Sequence, residues 1–348
     1  MFTFVVRPKI EREVAPMPDA FEVNRRNALL LAAGGVAGTM APRAAAAQGS
    51  TMEATSDTHP LAPGWRRFMI GDAEVTVILD GIRPGEGPFP TFGEDQSQET
   101  VGALMEENFL PAQRFANFFQ PVVIRLGEEL ILVDTGMGAN GRANGMGLLT
   151  QRMGAAGLKP GDVTLVVLTH LHGDHIGGLM EGGVPVFSNA RYAVGRTEME
   201  FWTSDDAKNG PRAENAKAVE ATVVPLQDKT TLLGDGDEVV PGMTARAAFG
   251  HTPGMMAFEV SSAGERLFLM ADTFSHFIVS FQRPDWQVRF DQDKTAAAET
   301  RRRFAGMLAD AKVPLLGYHL PFPGLGYVER DGDAFRFVPE TYQLLADG

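Results

Sequence analysis

The sequence predicts an α/β protein: a four-layer αββα sandwich in a single domain that follows an export signal. Three observations point there. Short apolar strands fall in two series, and helical segments close each series. Histidines and aspartates stand at the C-terminal ends of several of those strands, where α/β sheets commonly place their chemistry. The 348 residues are 44% hydrophobic and 22% charged, ordinary globular composition with length enough for a substantial core.

The first residues read differently from the rest. Asn24-Arg25-Arg26-Asn27 precedes the apolar run Ala28 to Met40, and Arg43-Ala44-Ala45-Ala46-Ala47 follows. Twin arginines, a short apolar region and small residues at a cleavage point predict a twin-arginine-type signal over residues 1–47. The run is too short and too glycine-rich to span a membrane, so no stable membrane anchor is expected. Residues 48–64 read as a linker and residues 65–348 as the folded domain. The expected location is the periplasm.

Within the domain, Ala73 to Leu79 alternates as a strand, and Gly81 to Gly93 is rich in Gly and Pro and reads as a loop with exposed aromatics. Glu99 to Asn108 has helical spacing. Pro121 to Arg125 and Glu129 to Val133 form a hairpin about Gly127-Glu128. Met146 to Ala155 reads as a helix, Val163 to Leu168 as a buried strand, Val184 to Phe187 and Arg191 to Val194 as strands, and Thr197 to Thr203 as a helix. The second series of strands covers Thr222 to Pro225, Thr230 to Leu232, Glu238 to Val240, Met243 to Ala247, Ala257 to Val260 and Arg266 to Met270. Lys294 to Ala311 is the strongest amphipathic helix, with Phe304, Met307 and Leu308 toward a core. Val313 to Tyr318 closes the series as a last buried strand.

Composition removes several function classes. A net charge of -13 argues against a nucleic-acid surface, which needs clustered Lys and Arg. The chain has no cysteine, so disulfides and thiolate ligands are excluded and any metal site must be built from His, Asp and Glu.

The run Thr169-His170-Leu171-His172-Gly173-Asp174-His175-Ile176-Gly177-Gly178 places three imidazoles and a carboxylate within six residues, just past a predicted strand. That donor density suits a divalent transition metal such as zinc. Three further strand ends carry metal-competent groups: His251 in Gly250-His251-Thr252-Pro253-Gly254, Asp272 after Leu267 to Met270, and His319 after the strand beginning at Val313. Taken alone, each suits a turn. Together with the histidine cluster, they converge on one sheet edge if the strands are aligned.

The pattern THLHGDHIGG, then GHTPG, then an Asp after a strand, then a late His, resembles the metallo-β-lactamase-fold hydrolases over about Trp65 to Pro339. The resemblance implies that His170, His172 and His251 hold one metal, that Asp174, His175 and His319 hold the second, and that Asp272 bridges the two. Asp134, in the Asp-Thr-Gly that ends a strand, would orient ligands from behind. The stretch HLPFPGLGYVERDGDAFRFVP, with GHTPG and ADTFSH, is most similar to the branch containing methyl parathion hydrolase and related lactonases. The implied reaction is attack of a hydroxide bridging two zinc ions on a hydrophobic lactone, ester or organophosphate triester, with Asp174 and Asp272 as the catalytic carboxylates.

Aromatic residues crowd the predicted site edge: Phe89, Phe92, Phe115, Phe118, Phe119, Phe201, Trp202, Phe274 and Phe277. Phe118, Phe119 and Phe274, with His276, are the expected substrate contacts. The expected partner is a small-molecule substrate, and a homodimer through the aromatic N-terminal loop is allowed for. Other readings stay open. A glyoxalase-II-like thioesterase shares all seven ligands. The missing cysteine and the presence of Asp272 weigh against a β-lactamase on the same site. An iron-dependent oxidoreductase on this fold is the alternative from another class, and a non-catalytic binding protein a third.

Overall fold

A computed structural model describes residues 64–341 of the chain. The expected signal over 1–47, and the linker over 48–64 apart from Gly64, lie outside those residues. The strands run β1 (Trp65–Ile70), β2 (Ala73–Ile78), β3 (Gly81–Glu86), β4 (Arg114–Phe119), β5 (Val122–Leu126), β6 (Glu129–Val133), β7 (Leu165–Leu168), β8 (Met180–Glu181), β9 (Val184–Pro185), β10 (Arg191–Gly195) and β11 (Thr230–Leu233). A second set follows: β12 (Glu238–Val240), β13 (Met243–Ala247), β14 (Met256–Ser262), β15 (Glu265–Leu269), β16 (Leu315–Leu316), β17 (Leu325–Asp331) and β18 (Ala334–Pro339). Among the described residues they build two seven-stranded sheets, ordered β1-β2-β5-β6-β7-β10-β11 and β12 through β18, with small ribbons β3-β4 and β8-β9.

Side-chain alternation explains why the sheets stack. In β6, Leu130 and Leu132 join one core while Ile131 and Val133 join another, and β7 splits the same way between Val166 and Leu168 on one side and Leu165 and Val167 on the other. Strands buried on both faces read as unbroken apolar runs, which is how these two read in the sequence. The middle core lies between the sheets, where Val133 and Val167 share a cluster with Met256, Phe258 and Leu269. The outer core of the first sheet takes Trp202 from α4 (Arg196–Thr203) and Ala216 and Val219 from α6 (Ala213–Thr222). The outer core of the second sheet takes Phe304 and Leu308 from α8 (Lys294–Ala311). Helix, sheet, sheet, helix is the predicted four-layer order.

Helix α8 has the predicted bounds, and Asp293 caps it by accepting from the Ala296 amide. Three readings are corrected. The first six residues of the expected Gly81–Gly93 loop are strand β3, paired with β4, and Phe92 is buried. A two-stranded ribbon tolerates Pro84, because an edge position needs no inward amide. Thr222 to Pro225 is not a strand. Ala216, Val219 and Val223 are buried at helical spacing, and that packing overrides the β-branched run. The last buried strand shortens to Leu315–Leu316, since Pro314 has no N–H for the ladder. Strands β1, β4, β17 and β18 and helix α6 went unread.

Candidate metal centre

All seven predicted donors meet at one edge of the sandwich. His170 follows β7, and His172 through His175 lie in the turn and short helix after it. His251 lies in the loop after β13, Asp272 in the turn after β15 and His319 in the loop after β16. His170 Nε2 and His251 Nε2 each stand 3.0 Å from His172 Nδ1. Asp174 Oδ2 stands 3.7 Å from His175 Nε2 and 3.4 Å from His319 Nε2. Asp272 reaches both groups. Its Oδ1 is 3.3 Å from His175 Nε2, and its Oδ2 is 3.3 Å from His251 Nε2 and 3.1 Å from His319 Nε2.

The donors' far atoms decide what the near atoms can do. His175 Nδ1 donates to Asp134 Oδ2 at 2.8 Å. His251 Nδ1 donates to Asp291 Oδ1 at 3.0 Å. His319 Nδ1 donates to the Phe118 carbonyl at 2.8 Å. His170 Nδ1 meets Thr169 Oγ1 at 3.1 Å, whose own proton goes to Asp134. A proton fixed on the outer nitrogen leaves the inner nitrogen a bare lone pair aimed at the other donors. His175 Nε2 and Asp272 Oδ1 are buried with no hydrogen-bond partner. Lone pairs and carboxylate oxygens converging at such distances repel unless a proton or a cation lies among them, and five imidazoles with two carboxylates are a donor set that fits a metal.

Electrostatics agree. Burial, then the neighbouring His251, holds His172 down at about 3. Burial also drives His170 well below its ordinary value. Burial pulls in the same direction on His175, but the carboxylates of Asp134, Asp272 and Asp174 outweigh it and raise that imidazole well above its usual range. Burial pushes Asp272 up, and the surrounding His319, His175 and His251 bring it well below the usual carboxylate range. A cation would replace the protons that His175 and His319 hold without it.

Asp134 sits where it was expected, taking the Thr169 amide and hydroxyl as well as His175. Its backbone is left-handed, with φ 60°, and so is that of Ala271, with φ 45°, immediately before Asp272. Strained backbone beside two site carboxylates is typical of places where geometry is over-determined. Gly178 ends the histidine motif because a Cβ there would stand 2.1 Å from the Thr135 carbonyl oxygen.

Three buried residues that the sequence did not single out hold the ligand loops. Glu198 accepts from the amides of Leu171 and Gly254, the Trp202 indole and the Thr252 hydroxyl, so one carboxylate ties the His170–His172 loop to the His251 loop. A Cβ on Gly254 would stand 2.0 Å from the Glu198 amide nitrogen. Asp291, behind His251, is held at 2.7 Å by Arg301 of α8. Gln120 donates to the Tyr318 and Leu320 carbonyls on either side of His319.

Two cavities open on this edge. One, of about 390 Å³, is lined by five of the seven donors, His172, Asp174, His251, Asp272 and His319, together with Arg83, Asn117, Phe119 and Asn140. The other, of about 370 Å³, is apolar and lined by Met105, Leu110, Phe115, Phe118 and Phe277, with His276 among them. Asn117 and His319 belong to both. The expected substrate contacts therefore separate. Phe119 lies in the metal chamber, edge-on to His319 at 5.4 Å, while Phe118 and His276 lie in the apolar annex. Phe274 is corrected: it lines neither cavity, is fully buried and stacks on Phe281 at 4.5 Å in the outer core of the second sheet. The turn at Asp272 sends the carboxylate to the site and the next aromatic to the opposite side.

Known proteins place the chain. AidC, described as a dizinc quorum-quenching lactonase in complex with a product, is 27% identical with a TM-score of 0.75, covering 80% of this chain and 98% of that one. AbOPH, a hydrolase of the beta lactamase superfamily, is 25% identical with a TM-score of 0.73, covering 81% and 99%. A probable metal-dependent hydrolase from Staphylococcus aureus shares the fold at 20% identity, with a TM-score of 0.62 and coverage of 78% and 99%. No curated protein matches the sequence. The model of the metallo-beta-lactamase superfamily matches residues 121–314, more than half of the chain. The protein therefore belongs to the metallo-beta-lactamase superfamily and is a metal-dependent hydrolase.

Proposed function

We propose that the protein is a dinuclear zinc hydrolase of lactones, esters or phosphotriesters that carry a hydrophobic arm, working in the periplasm after export by its twin-arginine-type signal. The observation that carries this reading is Asp272, one carboxylate within 3.3 Å of nitrogens from both histidine groups. His170, His172 and His251 would hold one ion and Asp174, His175 and His319 the other, with Asp272 between them. Nitrogen and oxygen donors without thiolate suit zinc. Two bound ions supply Lewis acidity and a water of lowered pKa.

The chain supplies the rest. Asp134, Asp291 and the Phe118 carbonyl keep the imidazole protons on the outer nitrogens, so the inner ones stay free to ligate. Arg83, Asn117 and Asn140 line the metal chamber and are placed to hold a polarised carbonyl or phosphoryl oxygen. The Asp174 side chain is partly open to that chamber, and its carboxylate is the group placed to pass a proton to a leaving oxygen. The apolar annex takes the hydrophobic arm and fixes the electrophile beside the donors. Likeness to AidC, described as a lactonase, supports the lactone part of this range.

The test is a hydrolysis panel with zinc-loaded protein lacking residues 1–47: alkyl lactones, aryl esters, an aryl phosphotriester, a thioester and a cephalosporin. Turnover is expected for the first three classes, abolished by chelation and restored by zinc. Turnover confined to the thioester or cephalosporin, or bound iron with O₂ uptake in protein from its own host, would overturn the reading. Export is tested by replacing Arg25 and Arg26 with Lys and fractionating cells. Unchanged periplasmic recovery would refute the signal.

A further inference from the structure

The annex surface is mainly apolar, yet its wall also holds Arg114, Asn117, Ser275, His319 and a second imidazole, His276. His276 is 7% exposed, and its ring is clamped between Phe92, edge-on at 4.9 Å, and Phe277, stacked at 5.3 Å and 12°. Its Nδ1 accepts two backbone amides, from Ile278 at 3.1 Å and Val279 at 3.2 Å. Two donors converging on one nitrogen require a lone pair there, so the ring is neutral and its single proton is on Nε2. Burial reinforces this by lowering the imidazole to about 4. Among the described residues Nε2 has no hydrogen-bond partner, and the ring lines the cavity.

Nε2 is not sealed off from the cavity, so an acceptor on a bound molecule would take the place of water there. The paired amides and the aromatic clamp leave the ring little freedom to turn away. We propose that His276 determines specificity: its Nε2–H binds an uncharged carbonyl-type oxygen carried on the substrate's hydrophobic arm. The inference rests on the hydrolase reading above, because the annex borders the metal chamber at Asn117 and His319. It narrows the substrate class from hydrophobic esters and lactones to those whose arm is interrupted by an oxo or amide group.

The experiment compares γ-dodecalactone with analogues in which one side-chain methylene after another is oxidised to a ketone. Such a lactone has one arm, so its ring must occupy the chamber when the arm fills the annex. With zinc-loaded wild-type protein, kcat/KM is expected to favour one ketone position about tenfold over the plain chain, the size of a single well-formed hydrogen bond. Two variants separate binding from structure. His276→Asn keeps an acceptor near the Ile278 and Val279 amides but removes the far donor, and the preference should fall to about one. His276→Gln keeps a donor at that reach but loses the acceptor, and should retain part of the preference. ¹⁵N NMR of the wild-type imidazole should show the proton on Nε2. Turnover of both chains with no ketone preference, or a preference that survives His276→Asn, overturns this inference alone. Absence of turnover of any lactone by metal-loaded protein overturns both proposals.

Discussion

The two cavities at the sheet edge have nearly equal volumes, about 390 and 370 Å³, and opposite construction. In the metal chamber almost every functional atom is fixed by a second polar group: His175 by Asp134, His251 by Asp291, and the two ligand loops by Glu198. In the annex, position is set mostly by packing, with His276, Ser275 and the shared His319 as hydrogen-bonded exceptions. A hydrogen-bonded constellation fails abruptly when one member is lost, because a buried partner is left unsatisfied. A packed wall fails gradually, by the area that one side chain contributes. The same size of substitution should therefore have very different consequences on the two sides.

The largest effect belongs to a donor. His172→Ala removes the nitrogen that stands 3.0 Å from both His170 and His251. Loss of mere supporting residues around metals costs about 10–100-fold, so loss of this ligand should lower kcat/KM by more than about 100-fold. Metal content measured alongside activity should fall too. Retention of both metal and activity would mean that the chamber is not the over-determined side.

Next comes Glu198→Ala. It leaves two amides, an indole N–H and a hydroxyl buried without an acceptor, at a cost on the order of 4 kcal/mol in chemical denaturation. Activity per folded molecule should fall as well, because the His170–His172 and His251 loops lose their common tether. A destabilisation under about 1 kcal/mol would show that water replaces the carboxylate easily.

Both cavities were unequally legible in the sequence, for the same reason. Four of the seven donors fall within six residues, and the other three end apolar strands, so local pattern was enough to find them. The supports were not local. Glu198 meets Thr252 across 54 positions, and Asp291 meets His251 across 40. On an amphipathic helix a glutamate reads as solvated, and nothing in its neighbourhood announces burial. Phe274 shows the converse. Its closeness to Asp272 in sequence suggested the pocket, but the turn over Ala271–Thr273 carries it into the outer core of the second sheet. The strand series and helix α8 were read from periodicity. The ribbon β3-β4, which carries Phe118 and Phe119 to the site, is not legible in the sequence, because Gly and Pro in β3 mimic a loop and leave β4 without an evident partner.

One of the annex exceptions gives a pH signature. His276 titrates at about 4 in the fold and near 6.5 when unfolded. As pH falls below about 6.5 the unfolded chain takes up a proton that the folded chain refuses, so this group's contribution to stability declines until about pH 4. At about 1.4 kcal/mol per unit, the decline amounts to about 3 kcal/mol. His276→Asn abolishes it. The wild type should therefore lose about 3 kcal/mol relative to the variant between pH 7 and pH 4, measured by urea denaturation of metal-free protein. Parallel curves would place a charged imidazole in the annex wall.

The smallest effect is the most discriminating, because one residue belongs to both cavities through different atoms. The Phe118 carbonyl holds His319 Nδ1, whereas its half-buried ring lines the annex. Phe118→Ala deletes the ring and keeps the carbonyl. Losing part of an aromatic contact costs about 1 kcal/mol, so KM for a long-arm lactone should rise about fivefold. The ring touches the arm equally in ground and transition states, so kcat should hold, and a short-arm lactone should be barely affected. A fall in kcat with KM unchanged would mean that the ring positions His319 through the backbone of β4. The two cavities would then be one mechanical unit, and the division between a hydrogen-bonded chamber and a packed annex would fail at the residue where they meet.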